Sequence, residues 1–137
     1  MKTLSIFFLS FLTTINVDLF AQNNLNLDKT KNGKTLFFKK SGHVDSTKAN
    51  ISGFVYDCKN NLGIGNANLI FYNDKNLLNP ELCVTDSNGY FYHWISSGNY
   101  DIRFTAIAYL RYEIKNVIID SCTKFDSKFC LFTNEQY

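Results

Sequence analysis

Apolar and polar residues alternate in short runs from Ile51 to the end of the chain. In "ISGFVYD", residues 51–57, Ile51, Gly53 and Val55 share one face, and the alternate positions form the other. Six further runs follow, "ANLIFYN", "LCVT", "YFYHWI", "YDIRFTA", "YEIKNVIID" and "KFDSKFCLF". The period of two persists between turns rich in Gly, Asn, Asp and Ser. It therefore predicts seven short strands in an all-β sandwich, without a helix of useful length.

The first 50 residues differ from the rest of the chain in composition and in hydrophobic pattern. Lys2, the apolar run "LSIFFLSFL" and the small residue Ala21 together predict an export signal, residues 1–21, that is cleaved after Ala21. The run is shorter than the ~20 apolar residues of a membrane span, and no second apolar span follows. Residues 22–50 are polar, with six lysines against two acidic residues, and only "TLFF" could pair as a strand. We predict a flexible leader over 22–50 and a domain over 51–137.

Charge and motifs exclude several classes of function. The formal net charge of +2 is too small to indicate nucleic-acid binding. The four cysteines include no C-x-x-C pair, and the two histidines are far apart, so the sequence predicts no metal site. No G-x-S-x-G, H-E-x-x-H or P-loop motif is present, and the acidic residues do not form pairs. We therefore predict no catalytic residue and no cofactor, so the protein is expected not to be an enzyme.

The stretch "CVTDSNGYFYHW", residues 83–94, has the composition of a calcium loop. With Gly89 in the sixth position of such a loop, the first and twelfth positions are Val84 and Ile95, which offer no side-chain oxygen. The same residues suit a tight turn, because Asn-Gly can adopt positive φ and an aspartate can accept hydrogen bonds from nearby backbone N–H groups. We therefore assign a structural turn to Asp86, Asn88 and Gly89.

This turn predicts a hairpin between "LCVT" and "YFYHWI". Alternation then divides the hairpin into two faces. The mostly apolar face is assigned to the core and consists of Leu82, Val84, Phe91, His93 and Ile95. Cys83, Tyr92 and Trp94 are assigned to the opposite face.

Five aromatic side chains are predicted to point away from the core, namely Phe54, Tyr56, Tyr72, Tyr92 and Trp94. If their strands share one sheet, its outer face is aromatic and could stack on sugar rings or dock another protein. Two alternatives stay open. Aromatic residues favour strands whatever their function, and the leader could fold over this face.

The segment from Ile51 to Phe132 resembles the carboxypeptidase regulatory-like domain. The resemblance rests on "ISGFVYD", "GIGNANLIFY", "VTDSNGYF" and "SGNYDIRFTAIAY", in that order and spacing. It implies a transthyretin-like, Ig-like β-sandwich without catalytic residues, of a kind that is found in Gram-negative envelope proteins. One position departs from the family pattern, because Ala108-Tyr109 stands where the family usually has Gly-Tyr.

Cys58, Cys83, Cys122 and Cys130 allow three complete pairings, and disulfides and free thiols both stay open. If the first and last strands lie side by side and parallel, Cys58 and Cys130 come close together. Each follows a strand start, Ile51 or Thr123, by seven residues. This pair is the predicted disulfide.

Together these patterns predict a non-catalytic exported module, in the periplasm, at the outer-membrane surface or outside the cell. Its expected partner is an envelope protein or a glycan, and the mature chain is expected to have no transmembrane segment. The alternative is a structural accessory component of an envelope assembly, with no specific small ligand. The sequence leaves the oligomeric state open.

Overall fold

A computed structural model describes residues 32–134, and these form two four-stranded sheets packed face to face. The predicted all-β sandwich is confirmed, with eight strands where seven were expected. In chain order they are β1 Gly33–His43, β2 Ala49–Asp57, β3 Asn68–Tyr72, β4 Glu81–Val84, β5 Tyr90–Ile95, β6 Gly98–Thr105, β7 Tyr112–Ile119 and β8 Thr123–Leu131. The predicted export signal, residues 1–21, lies outside the described residues.

The two sheets, here named A and B, have the strand orders β1-β8-β2-β5 and β4-β3-β6-β7. All neighbouring strands are antiparallel except β2 and β8, which run parallel at the centre of sheet A. Aromatic rings join the sheets across the core. Phe104 of sheet B lies 4.5 Å from Phe129 of sheet A, and Phe71 of sheet B stacks on His93 of sheet A at 5.4 Å, both measured between ring centres.

The eighth strand comes from the segment that was predicted to be a flexible leader. β1 pairs with β8 from Gly33 opposite Leu131 to His43 opposite Thr123, and Phe38 packs inward on Phe125. Two register shifts interrupt β1, and these break the alternation that reveals a strand in a sequence. Its lysines are typical of a strand at the edge of a sheet. Over its described part, residues 32–50, the leader therefore belongs to the sandwich.

The predicted hairpin between "LCVT" and "YFYHWI" is wrong. β4 pairs with β3 in sheet B, whereas β5 pairs with β2 in sheet A, so the turn carries the chain from one sheet to the other. Leu82 and Val84 are 55% and 46% exposed, and Cys83 is buried in their place. Phe91 and Ile95 do lie in the core. Turn residues predict a change of direction but not which strand receives the next backbone hydrogen bonds.

The turn between β4 and β5 uses the predicted residues. Asp86 Oδ1 accepts hydrogen bonds from the backbone N–H groups of Asn88 at 2.9 Å and Tyr90 at 3.0 Å. Within this turn, φ is positive at Gly89, with +82°, and not at Asn88. A Cβ atom at Gly89 would also lie 2.5 Å from the carbonyl oxygen of Val55, so glycine is required both by conformation and by close packing.

The parallel contact between β2 and β8 is unusually close at Gly53. A Cβ atom there would overlap the carbonyl oxygen of Ser127, the residue directly opposite. Near the end of the same contact, a disulfide joins Cys58 and Cys130. Equal spacing from Ile51 and Thr123 would place Cys130 directly opposite Cys58. The observed register differs by two residues, so Cys130 lies opposite Tyr56 and the bridge reaches Cys58 just beyond β2.

Loss of this disulfide should destabilise the sandwich strongly. It spans 72 residues of sequence, and in the chain-entropy description a closed loop of that length contributes about 4 kcal/mol to the free energy of unfolding. We expect a loss of this size when Cys58 and Cys130 are both replaced by serine, measured by urea unfolding against the oxidised wild type. Cys122→Ser, which leaves the bridge intact, is the control. Equal unfolding free energies for wild type and double variant would contradict the prediction.

Ala108, at the position where the resembled family usually has glycine, has a positive φ. Its φ is +72°, and its carbonyl oxygen accepts a hydrogen bond from the N–H of Asn134 at 2.9 Å. The departure from Gly-Tyr therefore leaves an alanine in the left-handed region, where an L-residue with a Cβ atom is strained.

We expect Ala108→Gly to raise the free energy of unfolding by about 0.5–1 kcal/mol. The relief of left-handed strain exceeds the extra entropy that glycine gives the unfolded chain. Chemical unfolding of the variant beside Ala106→Gly, a control two residues away at which the structure shows no positive φ, measures the effect. A stability loss in both variants would show that the strain is absent.

A buried carboxylate near the disulfide links the end of β2 to the loop between β6 and β7. Asp57 is 5% exposed, and its oxygens accept hydrogen bonds from the hydroxyl of Tyr109 at 2.8 Å and from the N–H groups of Lys59 and Asn60 at 2.8 and 3.2 Å. Burial alone raises the pKa of Asp57, but these hydrogen bonds to the ionised form outweigh burial, and the pKa is lowered.

The contribution of Asp57 to stability should therefore depend on pH. The pKa of Asp57 in the folded protein lies below the ordinary aspartate pKa. Its contribution to the free energy of unfolding is therefore complete at a pH above the ordinary pKa, and it is lost as the pH falls through the folded-state pKa. Tyr109→Phe removes one donor from a buried charge and should cost about 1–3 kcal/mol at neutral pH. This cost should shrink toward about pH 3. Urea unfolding at both pH values measures it, and a loss independent of pH would contradict this reading.

Candidate binding face

The outer face of sheet A carries a row of exposed rings along its edge strand. Tyr90, Tyr92 and Trp94 alternate along β5 and are 36%, 53% and 38% exposed. Successive outward residues of a strand lie about 7 Å apart, so the three rings form a continuous strip. Phe54 and Tyr56 lie beside this strip on β2.

Cross-strand register arranges this face in three rows. From the β5 edge across the sheet they read Trp94, Asn50, Lys124; then Tyr92, Ser52, Asp126, Lys39; then Tyr90, Phe54, Lys128, Phe37. Each row begins with an exposed ring and passes over β2 to charged residues on β8. The face thus combines apolar platforms with hydrogen-bonding and charged groups within a few strand spacings.

The rings support one another. Phe54 stacks on Tyr56 at 5.6 Å and contacts Tyr90 at 5.2 Å, while Tyr92 and Trp94 meet edge to face at 6.1 Å. These distances lie in the favourable range for aromatic pairs. The rings thus form two contacting groups, one of Phe54, Tyr56 and Tyr90 and one of Tyr92 and Trp94.

Polar groups occupy the middle of the face. Ser52 Oγ donates to Asp126 Oδ1 at 3.4 Å, across the parallel contact between β2 and β8. Asn50 is only 2% exposed, and its side-chain amide donates to the carbonyl oxygen of His93 at 3.5 Å. Asp126 is half-buried and its carboxylate oxygens can accept hydrogen bonds from a ligand hydroxyl.

Four of the five predicted aromatic residues lie on this face, and Tyr72 does not. Tyr72 belongs to β3 in sheet B, where its hydroxyl donates to Glu113 Oε2 at 2.7 Å and the guanidinium of Arg103 lies 5.1 Å from its ring centre. Burial and the neighbouring Glu113 carboxylate raise the pKa of Tyr72. Alternation predicts which residues point outward, but it does not say from which sheet, so the expected set of five was too large.

Tyr90 was not among the aromatic residues predicted to point outward, although it lies on the same face of β5 as Tyr92 and Trp94. Its backbone N–H and carbonyl do bond to Asp86, so Tyr90 belongs both to the turn and to the aromatic strip. The alternation of "YFYHWI" was the signal that could have found it.

A concave region lies at the end of sheet B beside Tyr72. This cleft has a volume of about 320 Å³ and is lined mainly by polar groups, among them Asn73, Asp74 and Asp101. Within residues 32–134, no cluster of three or more His, Cys, Asp or Glu side chains is placed to hold a metal ion. Over the same range, no helix is long and apolar enough to cross a membrane.

Comparison with known proteins supports the fold. No protein-family model and no curated protein matches the chain. A similar solved structure is 3-chlorocatechol 1,2-dioxygenase from Rhodococcus opacus, which is 9% identical with a TM-score of 0.50; the match covers 97% of this chain and 90% of that one. At this identity the likeness shows a shared fold and nothing about activity.

Two weaker likenesses have TM-scores below 0.5. A protein of Bacteroides uniformis, provisionally assigned as carbohydrate-binding, is 15% identical with a TM-score of 0.47, over 62% of this chain and 40% of that one. Catechol 1,2-dioxygenase from Pseudomonas arvilla is 10% identical with a TM-score of 0.48, over 70% of this chain and 55% of that one. The chain thus spans about half or less of these proteins, and the likenesses carry no argument about its function.

Proposed function

We propose that this protein is an exported, non-catalytic β-sandwich module that binds a glycan on the outer face of sheet A. The observation that carries the proposal is the strip of exposed rings on β5, Tyr90, Tyr92 and Trp94, in rows that lead to the accessible charged groups of β8. Sugar rings have apolar C–H faces that stack on aromatic rings, and hydroxyl groups that hydrogen-bond at their edges. The rows of this face offer both kinds of contact side by side.

Two features favour a glycan over a protein as the occupant. The face is broad and includes the half-buried carboxylate of Asp126 in the same row as Tyr92, whereas the core of a protein interface is depleted of charged residues. Arginine, which is enriched among the residues that dominate protein interfaces, is missing from it. The two arginines of the chain, Arg103 and Arg111, lie in sheet B and in the loop before β7.

Binding without catalysis fits the ionisable groups of this face. Asp126 is the single carboxylate in its three rows, and its oxygen accepts a hydrogen bond from Ser52. His93, on the same strand as the exposed rings, turns inward and stacks on Phe71, with Nε2 3.4 Å from the Glu81 carboxylate. Neither a histidine nor a second carboxylate therefore accompanies Asp126 in these rows.

Two further parts of the proposal rest on the sequence. The apolar run of residues 4–12 with Ala21 supports export. Membership of the carboxypeptidase regulatory-like family is supported by the placement of its motifs. "ISGFVYD" forms β2, "VTDSNGYF" forms the turn between the sheets, and "GNYDIRFT" forms β6. The family's accessory domains are themselves non-catalytic.

Trp94→Ala should weaken glycan binding at least about tenfold, or ~1.4 kcal/mol, because it removes one stacking platform. The side chain is 38% exposed, so the free energy of unfolding should change by less than about 1 kcal/mol. A glycan array identifies binding chains, and isothermal titration then compares wild type with the variant.

Tyr72→Ala is the matched control, because it removes an outward aromatic ring from sheet B instead of sheet A. It should leave glycan affinity unchanged even if stability falls. Equal affinity of wild type and Trp94→Ala would refute the proposed face. Capture of one fixed protein partner, without glycan binding, would favour the structural alternative.

A further inference from the structure

The outer face of sheet A is divided by charge. Its β5 and β2 half carries rings and neutral polar groups, whereas its β8 and β1 half carries Lys39, Lys124 and Lys128 against one acid, Asp126. Among the described residues, none of these three lysines forms a salt bridge. The half therefore has an excess of positive charge that the fold itself does not neutralise.

In sheet B, by contrast, the outward cations form salt bridges. The Glu113 carboxylate pairs with Arg103 at 3.0 Å and with Lys115 at 3.3 Å, so each cation there has a carboxylate partner. Hydrogen bonds from Tyr72, Arg103 and Lys115 outweigh the effect of burial and lower the pKa of Glu113. Each outward cation of sheet B thus has a carboxylate partner, whereas Lys39, Lys124 and Lys128 on the proposed binding face have none in the part of the chain that the structure describes.

Aromatic rings hold two of these lysines close to the sheet. The ammonium of Lys128 lies 4.9 Å from the ring centre of Tyr56, and that of Lys39 lies 5.2 Å from the ring centre of Phe37. Cation–π attraction of this kind keeps the charge beside the face and not extended into solvent. A ligand lying on Tyr92 and Trp94 therefore has ammonium groups within two or three strand spacings of its edge.

We infer that the glycan bound by this face is acidic, with carboxylate or sulfate groups along its chain. Its sugar rings stack on Tyr92 and Trp94, and its anionic groups meet Lys124 and Lys128. Asp126 accepts a hydrogen bond from a neutral hydroxyl between them. This inference rests on the proposed glycan-binding function and adds its ligand class, because charge complementarity selects an anionic chain over a neutral one.

Matched pairs of acidic and neutral polysaccharides test the ligand class. The pairs are polygalacturonate with its methyl ester, carboxymethyl cellulose with hydroxyethyl cellulose, and a sulfated dextran with dextran. We expect at least one acidic member to bind about tenfold more tightly than its neutral partner at low salt, and the preference to fall as salt rises. Titration of the full chain measures each affinity.

Lys124→Gln with Lys128→Gln should reduce the acidic affinity to that of the neutral partner. Lys75→Gln, an exposed lysine in the loop after β3, is the matched control and should have no effect. Equal binding of acidic and neutral members, unchanged in the double lysine variant, overturns the acidic ligand but leaves the glycan-binding function.

Three other outcomes would refute the proposed binding face or the glycan-binding function itself. If the lysine variant loses acidic binding but Trp94→Ala does not, the chain adsorbs polyanions by charge alone, and the stacking face is refuted. If no member of any pair binds, the glycan-binding function and the acidic ligand both fail. Specific retention of a protein partner in place of polysaccharide would refute them in the same way.

Discussion

The parallel contact between β2 and β8 is the constraint on which the rest of this structure depends. It is possible only because Gly53 has no Cβ atom, since one would overlap the Ser127 carbonyl oxygen. The contact brings a strand from early in the sandwich against the last one and places the disulfide of Cys58 and Cys130 near its end. It also sets Ser52 beside Asp126, so that the rings on one side of sheet A and the lysines on the other belong to one surface.

The second constraint is the crossing of the chain between sheets after β4. Had the turn at residues 85–89 closed a hairpin, β5 would pair with β4 in sheet B, and Tyr92 and Trp94 would lie far from β8. Instead Gly89 fits closely against Val55, and β5 continues along β2 as the edge of sheet A. A residue chosen for backbone conformation thus also determines which side chains become neighbours on the candidate binding face.

The two outer faces of the sandwich show opposite treatments of charge. In sheet B, Arg103 and Lys115 share the carboxylate of Glu113, at 3.0 and 3.3 Å. In sheet A, lysines lie over aromatic rings, which attract a cation without cancelling its charge. Arg103 and Lys115 therefore have a carboxylate partner, whereas Lys39 and Lys128 have none among residues 32–134. Asp57 also has its partners within the fold, because three donors from neighbouring loops satisfy its buried carboxylate at the end of β2.

The sequence by itself determined the class of fold, because apolar and polar residues that alternate with a period of two between turns are the pattern of β-strands. It also determined the outward phase of Phe54, Tyr92 and Trp94, since alternation along one strand is a local property. Only the tertiary structure decided which strands are neighbours. That choice depends on contacts between distant residues, and it moved Tyr72 to the other sheet, drew residues 33–43 into sheet A and exposed Leu82. The lysines beside the rings follow from the same long-range pairing, so no single run of sequence could reveal them.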